Sequence, residues 1–249
     1  MDDDVYDKIH TAEDSLWFYV ARRTIICSLA KTYHPLPAQR YLDIGCGTGG
    51  MLKALQPATH TSIGMDISHK ALVYSKQRSL CALFQGDACQ LGLPDNTFDL
   101  VTALDVLEHC EDDVGALAEI YRVMTPGGIC CLTVPALMLL WSNLDRVAHH
   151  FRRYTTRELC AKARKVGFQI HKLSYANTWL FPALLAMRLL QRLMQTPDSG
   201  ASQLDFAMPS QWLNRLLTAI FASEASWLAV ANLPIGSSAI AVLQKPCSS

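Results

Sequence analysis

Hydrophobic residues in this chain fall in short unbroken runs. Between the runs they recur every third or fourth place. The runs at 40–44, 60–66, 83–84, 98–104, 129–134, 169–175 and 238–243 read as strands. The intervening stretches 51–55, 68–79 and 112–124 read as helices, with Ser68 and Asp112 as N-caps. In the last of these, Val114, Leu117, Ile120, Tyr121 and Met124 fall on the inner side. Strands alternating with helices at this spacing predict an α/β fold with a mostly parallel sheet of seven strands and helices on both faces. Only the last two strands are expected to run antiparallel to each other.

Two further stretches carry helical periodicity. Residues 12–30 predict one helix with Leu16, Tyr19, Val20, Ile26 and Leu29 inward. Its arginines, Arg22 and Arg23, follow an aromatic cluster, Trp17-Phe18-Tyr19. The segment 1–39 is either a packed cap or a lid whose arginine reaches a ligand carboxylate. Residues 180–233 form a helical insertion before the last strand, within a single domain spanning 1–249. Helices are expected at 179–194 and 211–231, around a polar stretch with Pro197, Ser199 and Gly200. Both are apolar but interrupted by Arg188 and Arg192, or by Asn214, Arg215 and Glu224, so neither predicts a membrane span. Their bulky apolar faces suit a hairpin packed on the sheet edge, a hydrophobic acceptor tunnel, peripheral membrane contact or a homodimer.

Composition narrows the function classes. Lys+Arg and Asp+Glu balance at 22 each, so no global field draws the chain to nucleic acid. The start, Met1-Asp2-Asp3-Asp4, is acidic and unlike a signal or transit peptide. Nine cysteines are scattered without a Cys-x-x-Cys pair. Adjacent Cys130 and Cys131 would face opposite sides of a strand. A reduced, cytoplasmic chain is expected, with no disulfide framework and no metal site; the insertion leaves membrane association open.

The candidate chemistry lies at strand ends. Tyr41-Leu-Asp-Ile-Gly-Cys-Gly-Thr-Gly-Gly50 is a strand, a glycine turn and a helix start. Backbone N–H groups and a helix dipole there suit an anionic group, and Asp43 suits a cation beside it. Gly45, Gly47 and Gly50 also satisfy the dinucleotide spacing G-x-G-x-x-G, which keeps an NAD-dependent oxidoreductase open. Asp43, Asp66, Asp87 and Asp105 all end predicted strands, where ligands of such sheets sit.

The pieces LDIGCGTG, SIGMD, FQGDA, FDLVTALDVLEH and PGG, within residues 41–135, resemble the class I S-adenosylmethionine-dependent methyltransferases in order and spacing. The flanks LWFYVARR, LWSNLDRVAHHFRRYTTREL and LPIGSSAIAVLQK resemble one small-molecule subgroup. The resemblance implies a Rossmann-like sheet and S-adenosyl-L-methionine as cofactor. It implies that Asp43 and the loop (Gly45, Cys46, Gly47, Gly49) hold the methionyl end. Asp66 and Ile67 would meet the ribose side, and Asp87 with Ala88 the adenine edge. Leu104 would line the methionine side, and Trp17 and Arg22 would close over it. The subgroup often has histidine where Leu16 stands. Acceptor chemistry falls to His109, His149, His150 and Tyr154, with a small-molecule acceptor of apolar or lipid-linked character. A non-catalytic S-adenosylmethionine-binding protein is the alternative reading.

Overall fold

A computed structural model describes residues 3–80, 82–193 and 208–247. The strands are β1 (Ala38–Ile44), β2 (Thr59–Asp66), β3 (Leu83–Gln85), β4 (Phe98–Leu104), β5 (Met124–Pro135), β6 (Gln169–Ala176) and β7 (Ser238–Gln244). They form one sheet in the order β3-β2-β1-β4-β5-β7-β6. β1 to β5 pair in parallel, whereas β7 runs antiparallel to both β5 and β6. The chain therefore moves outward from β1 to β3 and returns to β4. This opens a crevice beyond the carboxyl ends of β1 and β4.

Two apolar layers cover the sheet. On one face Leu42, Ile44, Val101, Cys130 and Leu132 pack against α5 (Asp113–Val123) and α7 (Thr156–Val166). On the other, Tyr41, Leu100, Cys131 and Val242 pack against α2 (Trp17–Tyr33) and α3 (Gly50–Leu55). Cys130 and Cys131 thus fall on opposite faces, as strand alternation requires. Ser68 caps α4 (His69–Gln77) by accepting from Ala71 N, and Asp112 caps α5 by accepting from Gly115 N. Met124 has left the helix and opens β5. The expected Pro126-Gly-Gly128 turn is a register shift within that strand, between the Phe98↔Met124 and Leu100↔Ile129 pairs.

The N-terminal segment differs from the single helix expected. α1 (Asp3–Ala12) and α2 are separate, and Leu16 at the break is extended and buried. The break turns Glu13 inward, where Arg78 Nη2 donates to it at 3.1 Å. α1 is tied to α4 by Lys70 and the Tyr74 hydroxyl, both donating to Asp7.

The insertion also differs. α8 (Phe181–Leu193) starts two residues later than expected. The expected second helix is two, α9 (Gln211–Ala222) and α10 (Glu224–Val230). Glu224 is fully buried at that junction, accepting from the N–H groups of Asn177, Thr178 and Trp179. The helix breaks at this carboxylate, whose amide partners lie 45 to 47 residues away along the chain. Met194, Pro197, Ser199 and Gly200 lie outside the described residues. α9 braces α2: Asn214 accepts from Trp17 N at 2.9 Å and donates to Ser15 O at 2.7 Å. Phe221 stacks on Phe18 with ring centroids 5.9 Å apart. Among the described residues no helix is long and apolar enough to cross a membrane.

Candidate active site

One cavity of about 600 Å³ opens at the switch point. All four strand-end acids line it: Asp43, Asp66, Asp87 and Asp105. So do Trp17, Arg22, Gly45, Cys46, Gly47, Ile67, Ala88, Leu104, His109, His149 and His150. Gly49 and Tyr154 do not.

β1 delivers Asp43 to the floor, 2% exposed. Oδ1 accepts the Thr102 hydroxyl at 2.5 Å, while Oδ2 is buried with no hydrogen-bond partner. Burial, reinforced by the nearby Glu13 and Asp66 carboxylates, lifts this carboxyl to about 7. Such an orphaned oxygen beside an open space fits a ligand ammonium.

The glycine loop is wound left-handed at Gly45, Gly47 and Gly49, with φ of 65°, 55° and 89°. A Cβ at Gly47 would enter open space, so this backbone lies bare against the cavity. A Cβ at Gly49 would instead meet Leu80 Cδ1 at 2.6 Å, so Gly49 serves packing and not the ligand side. The loop's amides depart from expectation. Gly50 N donates to Glu13 Oε1 at 3.1 Å, and Thr48 Oγ1 also donates to that carboxylate. Gly47 N donates to Asp66 Oδ2 at 2.8 Å, and Gly49 N to Cys46 O. The anion at the start of α3 is thus the chain's own Glu13, a role the sequence did not disclose.

Asp66 is buried, and its Oδ1 accepts Ser68 N at 2.8 Å. Burial pushes it up against the pull of those amides. The Tyr6 side chain, which also lines the cavity, hydrogen-bonds the same carboxylate. Asp87 is exposed and accepts Cys89 N at 2.8 Å, a local turn that aims the carboxylate along the rim. Ala88 is buried beside it, and Ile67 is 66% exposed at the mouth. Cys46 is a buried thiol pushed well up by desolvation, hence passive.

The cover comes from α2. Arg22 pairs with Asp105, which adopts a left-handed φ of 56° and accepts from Thr133 Oγ1 at 3.0 Å. The guanidinium lies over the Phe18 and Tyr19 rings, 5.2 and 5.4 Å from their centroids. Arg23 points elsewhere, to Glu13 O.

At the opposite end, Leu107–His109 forms a short 3₁₀ turn after β4. Glu108 is fully buried with neither carboxylate oxygen partnered, and burial drives it well above the usual range. Burial next to His150 lowers His109 to about 4, and the two rings meet edge-on at 4.6 Å. His150 Nδ1 bonds Asp145 Oδ1, on the short helix α6 (Asn143–Val147), at 2.9 Å. Asp145, held far below the usual carboxylate range despite its burial, also accepts Arg153 at 2.8 and 3.0 Å. Arg152 pairs with Asp113 at 3.0 Å. These arginines pin the loop. His149 is exposed at a φ of 58° on the rim.

Tyr154 is a correction. It is 2% exposed, and its hydroxyl donates to Asp113 Oδ2 at 2.7 Å. Its backbone bridges Ala136, turning the side chain into the core behind the cavity. That environment pushes its hydroxyl far above the ordinary range and makes Tyr154 a brace.

Residues 42–132 match the family model described as a methyltransferase domain. Across 202 residues the chain is 30% identical to an uncharacterized methyltransferase of Schizosaccharomyces pombe, covering 69% of this chain and 70% of that one. The chain belongs to the class I S-adenosylmethionine-dependent methyltransferases. This methyltransferase is also 39% identical over 105 residues to a demethylmenaquinone methyltransferase of Symbiobacterium thermophilum, covering 38% of this chain and 42% of that one. A phosphoethanolamine N-methyltransferase of Haemonchus contortus, solved with S-adenosyl-L-methionine, shares its fold with a TM-score of 0.58. Identity there is 22%, over 89% of the methyltransferase and 52% of that chain. S-adenosylmethionine is therefore the cofactor, and the dehydrogenase reading of the glycines falls away.

Proposed function

We propose that the methyltransferase modifies a small, mostly apolar acceptor bound at the Glu108–His150 end of the cavity. The observation that carries this is continuity. One cavity joins the Asp43–Gly47–Asp66 end to an end walled by Leu140, Leu144, Ala148 and Leu184. Bound there, S-adenosylmethionine supplies an electrophilic methyl group on sulfur. The chain's part is to align acceptor and donor and to keep water out.

In this reading Asp43 Oδ2 meets the methionyl ammonium, Arg22 its carboxylate, and Asp66 the ribose hydroxyls. Asp87, Ala88 and Ile67 frame the adenine. Gly45, Cys46 and Gly47 pass beneath with bare backbone, while Leu104 and Trp17 close the methionine side. His109 and His150 face the acceptor, and His149 sits at its entrance. A demethylmenaquinone methyltransferase among the relatives supports a small-molecule acceptor. The apolar side chains that α9 and α10 leave exposed, Trp212, Leu216, Trp227 and Val230, support arrival from a lipid surface.

The test uses methyl-labelled cofactor with fractionated cell extract, followed by organic extraction. Label is expected in an organic-soluble product. Leu184→Glu should raise the acceptor KM at least about tenfold while leaving cofactor affinity unchanged, because it replaces apolar wall with a carboxylate one helical turn from the cavity-lining Arg188. Label confined to polar products, or an unaltered acceptor KM, refutes the reading. Flotation of the intact chain with anionic vesicles checks the lipid-surface step.

A further inference from the structure

We infer that Glu108, His109 and His150 form a binding site for a divalent first-row transition cation at the acceptor end of the cavity. This deepens the acceptor reading above, on which it rests for what that end of the cavity holds. One ligand atom from each of the three side chains lies within 4.8 Å of the others. Two imidazoles and one carboxylate, with positions left open, are a donor set suited to zinc or iron(II).

Three further observations point to a cation. Glu108 is fully buried, and both its oxygens lack any hydrogen-bond partner. A buried carboxylate without a partner is costly, and a cation removes that cost. His150 Nε2 stands 4.0 Å from Glu108 Oε1. This is too long for a hydrogen bond, but two ligands each about 2.1 Å from one ion are about 3–4 Å apart. Both rings are also held from behind. Asp145 fixes His150 through Nδ1, leaving Nε2 facing Glu108. The His109 ring bonds the Ala148 backbone. A carboxylate behind a ligating histidine fixes its tautomer and raises its basicity. The nearby cations do not compete, since Arg153 is engaged by Asp145 and Arg22 by Asp105.

Three protein ligands leave room for an oxygen of the acceptor. A cation there lowers the pKa of a bound hydroxyl, whose proton passes to solvent. The acceptor class this selects is a hydroxyl-bearing apolar molecule.

The experiment titrates Co²⁺ into the metal-stripped full-length chain and follows visible absorption. The expected result is one equivalent bound with d–d bands and no thiolate charge-transfer band. Zn²⁺ should displace it and raise the melting temperature. Glu108→Gln and His150→Gln should each weaken Co²⁺ binding at least about tenfold, the lower bound for disturbing a ligand shell. Calorimetry with S-adenosylmethionine on the same variants confirms that they are folded. If a variant is not folded, the wild-type spectrum decides. No Co²⁺ binding, a thiolate band, or undiminished binding in folded variants overturns the assignment. Loss of cofactor binding by the wild-type chain would bring down the functional reading instead, so the two failures are distinguishable.

Discussion

Replacing Asp43 by Asn separates what this residue costs the empty protein from what it gives the complex. The amide keeps an oxygen for the Thr102 hydroxyl, bonded at 2.5 Å, and loses the charge on a carboxylate that is 2% exposed. In the folded chain the carboxyl sits at about 7 instead of 3.8, chiefly through burial. A folded-state pKa raised above the unfolded one contributes stability at low pH that is lost as pH rises through the folded value. The shift spans about three pH units at about 1.36 kcal/mol each, so ionisation costs the ligand-free fold up to about 4 kcal/mol by pH 8. Asparagine carries no such cost. The ligand-free variant should therefore match wild type near pH 4 and melt higher at pH 8, by an amount on the order of 10 °C for a chain of this size. Saturating S-adenosylmethionine should narrow that gap at pH 8. One charge-assisted bond to its ammonium is worth about 1.5–3 kcal/mol, so the variant should bind it roughly 10- to 150-fold more weakly. Wild-type affinity should fall as pH drops below about 7, because the carboxylate must give up its charge. Melting curves from pH 4 to 8 with and without cofactor, paired with calorimetry, test both signs. Unchanged cofactor affinity in the variant, or a lower melting point at pH 8 without ligand, refutes the reasoning.

Other substitutions probe the remaining walls. Gly47→Arg sends a side chain into the open space beside a residue at a φ of 55°; calorimetry should show cofactor binding abolished, with stability down by only about 1–2 kcal/mol for the left-handed backbone. Asp66→Ala should weaken cofactor binding about tenfold or more. It should also lower the melting temperature, because the carboxylate holds Gly47 N and Ser68 N. Tyr154→Phe removes a donor from Asp113, which keeps Lys162 and Arg152; denaturant unfolding should show a loss of about 1 kcal/mol, with cofactor affinity unchanged.

The strand-end acids were legible because β-alternation and switch-point topology fix where a strand stops and what lies beyond it. Local sequence places Asp43, Asp66, Asp87 and Asp105 on one rim without knowledge of any contact. What escaped was set by partners distant along the chain. Thr11-Ala-Glu-Asp-Ser15 has no proline or glycine to mark a break, though Asp14 and Ser15 are weak helix formers, and Glu13 there reaches the glycine loop and Arg78 where the helix breaks. Similarly, Glu224 is helix-compatible but serves three amides at 177–179. Tyr154 was expected at the acceptor end with His149 and His150, its neighbours in the same segment. In extended backbone, neighbouring side chains point apart, and the bridge to Ala136 sends the tyrosine inward.

The clamp of Asn214 on Trp17 and Ser15 has a thermodynamic consequence. It ties α2, whose Trp17 and Arg22 line the cavity, to α9 of the insertion, with Phe221 packed on Phe18. A ligand that displaces α2 must displace α9 with it, or break those bonds. In the proposed reading, in which the insertion borders the acceptor end, the two ends of the cavity are expected to be coupled. By reciprocity, whatever factor the cofactor confers on acceptor affinity, the acceptor returns to the cofactor. Cutting the clamp with Asn214→Ala should bring that factor toward one, leaving two ends that bind independently.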